Sequence, residues 1–287
     1  MNEIEHAYIQ TNGIQLHVAQ QGPDDGELVL LLHGFPEFWY GWRKQMAELA
    51  EQGYRVWAPD QRGYNLSDKP ENVKDYDMKE LVEDIAGLIR QSGRDQVILA
   101  GHDWGGIVSW KVAETYPELI KKMMILNAPH LAAMSKHVLE HPSQLLKSSY
   151  ILFFQLRGIP EKLVSRANWG VATSALIGSS LKGTFSSRDL QEYRLAWSQP
   201  NAMTTMINWY RANGKNMMNA SATSNITVPT YIIWGMNDQF LGKELASKSL
   251  DYCEDGKGIL VGDTTHWLHH EKARQISQIM IDYIKED

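Results

Sequence analysis

Apolar and polar residues alternate at Ala7-Tyr8-Ile9 and again at Ile14-Gln15-Leu16-His17-Val18, which predicts a pair of antiparallel edge strands at the start of the chain. Leu28 to Leu32 is continuously apolar and ends at His33-Gly34, the pattern of a strand buried on both faces. Comparable runs recur at Arg55-Val56-Trp57-Ala58, Val97-Ile98-Leu99-Ala100, Met123-Met124-Ile125-Leu126, Tyr231-Ile232-Ile233-Trp234 and Gly258-Ile259-Leu260-Val261. Helical periodicity fills the intervals. Asp77, with Glu80 three residues on, announces a helix that carries Leu81, Val82, Ile85, Leu88 and Ile89 on one face. A helix that is apolar almost all round, and so expected to be buried, leaves Gly105-Gly106 and is stopped by Pro117. Ile276, Ile279, Met280 and Tyr283 form the stripe of a last helix. Strands alternating with helices predict a mostly parallel sheet covered on both faces. The rhythm fails once, from about His130 to Met218, where only helical patterns occur, such as Ser186-x-x-Asp189 before Leu190, Tyr193 and Trp197. Compact domains rarely hold a structureless loop of that length, so the segment is expected to be an all-helical lid.

The bulk properties narrow the classes. A chain of 287 residues can bury a full core and is ordinary for one α/β unit with an insertion. A net charge of −6 without any Lys/Arg cluster leaves no electrostatic footprint for nucleic acid. The one cysteine, Cys253, excludes an internal disulfide and fits a reducing compartment. The opening Met1-Asn2-Glu3-Ile4-Glu5-His6 lacks the basic and apolar blocks of a secretory signal, and no apolar run approaches the ~20 residues that span a bilayer. These features point to a soluble, cytoplasmic protein. They say nothing about oligomeric state.

The candidate chemistry begins at Gly101-His102-Asp103-Trp104-Gly105-Gly106, which joins the run Val97–Ala100 to the apolar helix. A strand, a glycine-flanked turn and a helix form the setting of a nucleophile elbow, whose central side chain is exposed by a tight turn. The usual centre is Ser. Here it is Asp103, and a carboxylate, with an ordinary pKa around 3.9, needs no base to make it a nucleophile near neutral pH. It can attack an alkylating carbon and form an ester that water must then cleave.

Such a nucleophile calls for a base to activate water, a partner for that base and donors for an oxyanion. Asp238 follows one strand run in Trp234-Gly235-Met236-Asn237-Asp238, and His266 follows the next in Thr264-Thr265-His266-Trp267. The order nucleophile, acid, histidine is that of the α/β-hydrolase fold. His33-Gly34-Phe35-Pro36 lies where that fold supplies one oxyanion N–H, from Phe35, and Trp104 after the nucleophile would supply the other. Each element alone has an ordinary explanation. Asp238 suits a turn, Gly34 and Pro36 are turn formers, Trp104 suits a core, and His266 competes with His269 and His270. The catalytic reading rests on the joint pattern. His269-His270-Glu271 could suggest a metal site, but they read better as the polar first turn of the last helix, so neither metal nor cofactor is expected.

His33-Gly34-Phe35-Pro36-Glu37, Asp60-Gln61-Arg62-Gly63-Tyr64, Gly101–Gly106, Asp238 and His266-Trp267 together resemble the epoxide hydrolases of the α/β-hydrolase superfamily, in their bacterial and soluble branches, over essentially the whole chain. The resemblance reaches the lid, where Ser149-Tyr150-Ile151-Leu152-Phe153-Phe154-Gln155 and Asn208-Trp209-Tyr210-Arg211 match the segments that carry the ring-opening tyrosines, and it implies Tyr150 and Tyr210 for that role. It also implies the α/β-hydrolase fold: a mostly parallel eight-stranded sheet flanked by helices, with an all-helical cap inserted between two late strands. The core would be 1–129 and 218–287, and the cap 130–217. The expected reaction is hydrolysis of a small hydrophobic epoxide by water to a vicinal diol, through an ester on Asp103. His33, Phe35, Pro36, Trp104 and Trp267 would line the substrate pocket.

Two rivals share the scaffold. A haloalkane or haloacid dehalogenase would use the same Asp, but haloalkane dehalogenases commonly carry Asn where this chain has Phe35. Fluoroacetate dehalogenases resemble His-Asp-Arg-Gly-Gly-Arg at the nucleophile, where this chain has Trp104 and Ile107. A non-catalytic ligand receptor would be expected to lose part of the constellation, and here nothing is missing.

Overall fold

The computed structural model describes residues 3–286 except 142, 143, 145, 146, 148 and 219–224. Eight strands, β1 (Glu5–Thr11), β2 (Ile14–Gln21), β3 (Leu28–Leu32), β4 (Arg55–Pro59), β5 (Val97–His102), β6 (Ile120–Leu126), β7 (Thr230–Gly235) and β8 (Gly256–Val261), form one sheet in the order β1-β2-β4-β3-β5-β6-β7-β8. β2 runs antiparallel to both β1 and β4, and every pairing from β4 to β8 is parallel. Period-two alternation divides the core. Leu28, Leu30 and Leu32 face one cluster with Val97 and Leu99, while Val29 and Leu31 face the other with Ile98 and Ala100.

Helices cover both faces. α1 (Arg43–Glu51) packs against the last helix on one side, and α2 (Met78–Gln91) against α3 (Trp104–Thr115) on the other. Asp77 caps α2 by accepting from the N–H of Lys79. α3 is buried around most of its circumference and ends just before Pro117, as its sequence requires. Between β6 and β7 the described residues form helices, α4 (Leu131–Glu140), α5 (Ser149–Phe154), α6 (Ile159–Val164), α7 (Arg166–Gly178), α8 (Ser187–Trp197) and α9 (Ala202–Met218), followed by an isolated bridge from Ile226 to Cys253. Ser186 and Asp189 close a reciprocal capping box at the start of α8. α10 (Glu244–Leu250), α11 (Leu268–Glu271) and α12 (Ala273–Lys285) complete the chain. No helix among the described residues is long and apolar enough to cross a membrane.

Two expectations change. β8 matches the buried runs in composition, yet it is mostly exposed, because it is the last strand and pairs only with β7. The last stripe also does not begin at His269. Lys272 adopts φ −123° and ψ 48° and separates the short α11 from α12, and the two histidines turn inward.

Candidate active site

β5 ends at His102, and Asp103 makes the turn into α3 with φ 51° and ψ −121°. That backbone costs a non-glycine residue on the order of 1–3 kcal/mol. The flanking glycines serve a different purpose from the one their position suggests. A Cβ on Gly105 would lie 2.2 Å from the Leu32 carbonyl oxygen, so they admit close packing while Asp103 itself carries the strained conformation. Gly34 does the same from the facing loop, where a Cβ would sit 2.4 Å from that of Asp103. This proximity lets the N–H of Phe35 donate to Oδ1 of Asp103 at 2.9 Å. The N–H of Trp104 opens the twelve-residue α3 directly beside it, at the helix end that favours negative charge.

The other carboxylate oxygen, Oδ2, lies 3.4 Å from Nε2 of His266, and Nδ1 of His266 is 2.7 Å from Oδ2 of Asp238. Burial works against the His266 charge, but Asp238 and Asp103 together push its pKa up to about 10. Burial likewise opposes ionisation of Asp238. The adjoining His266, the Asn127 amide (2.5 Å) and the N–H groups of Phe240 and Leu241 (2.8 and 3.0 Å) hold its carboxyl below the usual value. Asp238 is thus the turn residue its sequence suggests and the histidine's partner at once. Asn127, at the end of β6, also accepts from the N–H of Gly235, and sequence reasoning missed it. An Asn directly after an apolar strand was the available signal.

Tyr150 on α5 and Tyr210 on α9 face the same space, with ring centroids 5.8 Å apart and planes at 78°. The Tyr210 ring stands edge-on to Phe35, Trp104 and Phe154 at 5.0–5.2 Å. Burial raises both phenol pKa values; the charge of Asp103 adds to each, and Tyr150 adds to that of Tyr210. Both hydroxyls therefore keep their protons through the neutral range.

A cavity of about 210 Å³ opens over Asp103 and is bounded by Tyr150, Tyr210, His266, Phe35, Pro36 and Trp267. A second, of about 40 Å³, lies beyond Asp103 and is bounded in part by Trp104. His33 lines neither. It is fully buried, its Nδ1 donates to the Gly34 carbonyl at 3.0 Å, and its Nε2 accepts from the N–H of Gln61 at 3.1 Å. Its work is to fix the loop that carries Phe35. The Asp60–Tyr64 motif also stays outside the cavities. Arg62 pairs with buried Asp84 through two 2.6 Å bonds, and the Trp209 indole donates to the Arg62 carbonyl.

His269 and His270 are not a polar helical turn. Both are buried, with Nε2 atoms 3.2 and 2.6 Å from the two oxygens of Glu37, which also accepts from the Tyr193 hydroxyl. Burial opposes the Glu37 charge, but His269, His270 and His102 hold its carboxyl well below the usual range. These donor atoms of Glu37, His269 and His270 lie within 4.8 Å of one another, close enough to suggest a metal site, but they are already engaged in mutual hydrogen bonds. Nε2 of His102 lies 2.8 Å from the carbonyl oxygen of His266, so this buried knot backs the loop that carries the histidine. Glu271 steadies the same loop through the N–H and hydroxyl of Thr265.

Residues 27–273 match the family profile described as alpha/beta hydrolase fold. The AB hydrolase superfamily protein YfhM of Bacillus subtilis (strain 168) is 46% identical over 285 residues, 99% of each chain. Epoxide hydrolase 4 of Homo sapiens is 35% identical over 98% of this chain and 79% of its own. Among solved structures, a mutant epoxide hydrolase from Bacillus megaterium, complexed with a naphthyloxy-propane-1,2-diol product, superposes with TM-score 0.90 at 29% identity, over 98% of this chain and all of that one.

Proposed function

The chain belongs to the α/β-hydrolase family, among the relatives named epoxide hydrolases, and from that membership and the site geometry we propose that it hydrolyses small hydrophobic epoxides to vicinal diols through a covalent ester on Asp103. The observation that carries the reading is the meeting of two protonated phenols, Tyr150 and Tyr210, with the carboxylate of Asp103 in one apolar cavity. A halide leaves as a stable anion and needs no proton. An epoxide opens to an alkoxide and does.

Because Oδ1 of Asp103 is held by the Phe35 N–H, Oδ2 is the attacking atom. The Oδ2–carbon bond forms as the ring carbon–oxygen bond breaks, and a tyrosine hydroxyl gives its proton to the epoxide oxygen. Alkylation removes the charge of Asp103, one of the two carboxylates that keep His266 protonated. His266 then sheds its proton to restore the phenol and stands as a neutral base. Oriented by Asp238, it takes a proton from water, whose oxygen attacks the ester carbonyl carbon. The negative charge develops on Oδ1, between the N–H groups of Phe35 and Trp104. Collapse breaks the bond from that carbon to Oδ2, and the departing alkoxide takes the His266 proton. The diol leaves with Oδ2, Asp103 keeps the oxygen of water, and the proton left on its carboxyl passes to His266, which restores the ion pair. In this reading the helices between β6 and β7 act as a cap, with 1–129 and 218–287 as the core and 130–217 closing the cavity.

The test is product formation by the purified protein from styrene oxide, run beside halide release from 1-chlorohexane. Phenylethanediol without chloride supports the reading. Chloride without diol would install the dehalogenase, and neither product would leave a receptor.

A further inference from the structure

The two cavities meet at the reacting atoms, since Asp103, Tyr150 and Tyr210 line both. An epoxide held by the two phenols above Asp103 therefore has both cavities within reach of its ring carbons. The cavities differ about fivefold in size. The larger, at about 210 Å³, exceeds the roughly 150 Å³ apolar cavity that holds a benzene ring. The smaller, at about 40 Å³, is about a quarter of that benzene-sized space. It is walled by Ile107 of α3, Leu131 and Met134 of α4, and Leu241. Its main polar neighbour, the Asn127 amide, is committed to Asp238 and Gly235. The small chamber thus has room for little more than a methyl group, about a quarter of the space that a six-carbon ring fills.

We infer that the substrates are epoxides with a single bulky apolar arm, bearing only hydrogen or methyl on the other ring carbon, and that Met134 and Leu131 set this limit. The inference rests on the epoxide-hydrolase reading above and adds to it the substitution pattern. The long arm lies in the large chamber toward Trp267 and Leu176, and the short side points at Met134. Epoxides with comparable arms on both carbons must force one of them into a space for a single carbon. A methylene in an apolar pocket changes discrimination by about 10–200-fold, so two surplus methylenes suffice to exclude.

Three constitutional isomers isolate this effect at constant hydrophobicity: 1,2-epoxyoctane, trans-2,3-epoxyoctane and trans-4,5-epoxyoctane. The first two should have kcat/KM values within about tenfold of one another, and the third should fall at least about a hundredfold lower. Met134→Ala should raise the ratio of the 4,5- to the 1,2-isomer at least about tenfold. Leu131→Ala, at a half-buried position, should move it the same way and stands in if the buried Met134 variant does not fold. Comparable kcat/KM for all three isomers in the wild type would overturn the inference and leave the epoxide reading intact. So would an unchanged ratio in both folded variants. No diol from any isomer would overturn both.

Discussion

Nε2 of His266 stands 3.4 Å from Oδ2 of Asp103, so the imidazolium and the carboxylate form an ion pair before any substrate arrives. The pairing gives the site an order of events. While Asp103 is charged, His266 holds its proton and cannot act as a base; an ester on Asp103 would remove that restraint. Asp103→Asn imitates the uncharged ester. The His266 titration, followed through its ring proton or nitrogen resonances, should move below the wild-type value of about 10 in this variant. An unmoved midpoint would mean that Asp238 alone sets the proton affinity and that the ordering fails.

The phenols should act on ring opening and not on ester cleavage. Tyr150→Phe or Tyr210→Phe leaves one donor and should slow the alkylation step by about 10²–10³, the usual cost of one oxyanion donor. The double variant should lose far more, while any ester it forms should hydrolyse at a near-normal rate. Stopped-flow measurement of alkylation and of ester decay separates the two steps. Unchanged alkylation in the double variant would remove both tyrosines from the mechanism.

The Asp238–His266 pair should also leave a pH signature in stability. His266 has a folded pKa of about 10 against 6.5 for an unperturbed histidine, so its contribution is complete below about 6.5 and is lost as pH rises through about 10. Asp238 is depressed from 3.8, so its contribution is complete above that value and is lost as pH falls through its lower folded pKa. The stability of the wild type relative to Asp238→Asn should therefore be largest between about pH 4 and 6.5 and shrink on both sides. Urea midpoints across pH 3–10 measure it, and a difference that does not vary with pH would show that the pair is not charged in the native state.

The sheet and the triad-like order were legible because each depends on local signals. Buried parallel strands read as short apolar runs, and Asp103, Asp238 and His266 each follow such a run. What stayed hidden depends on contacts across the fold. Glu37 sits only four residues from His33, but its histidine partners His269 and His270 are more than two hundred residues away, and no periodicity announces a carboxylate that needs them. The same long-range contact turned an apparently polar helix start into buried core. His33 looked like a pocket residue from its neighbours Phe35 and Pro36, whereas its ring is spent on Gln61 and Gly34. The exposure of β8 follows from its rank in the sheet, which its own six residues do not encode.

The central claim is the covalent ester on Asp103, and His266→Gln is the variant that exposes it. Ring opening consumes no general base, so this variant should still react with an epoxide and then stall, because water is no longer activated. After incubation with styrene oxide, the intact protein should gain the mass of one substrate molecule, and the adduct should map to the peptide that contains Asp103. A folded His266→Gln protein that remains unmodified, or that carries its adduct on another residue, would contradict the account.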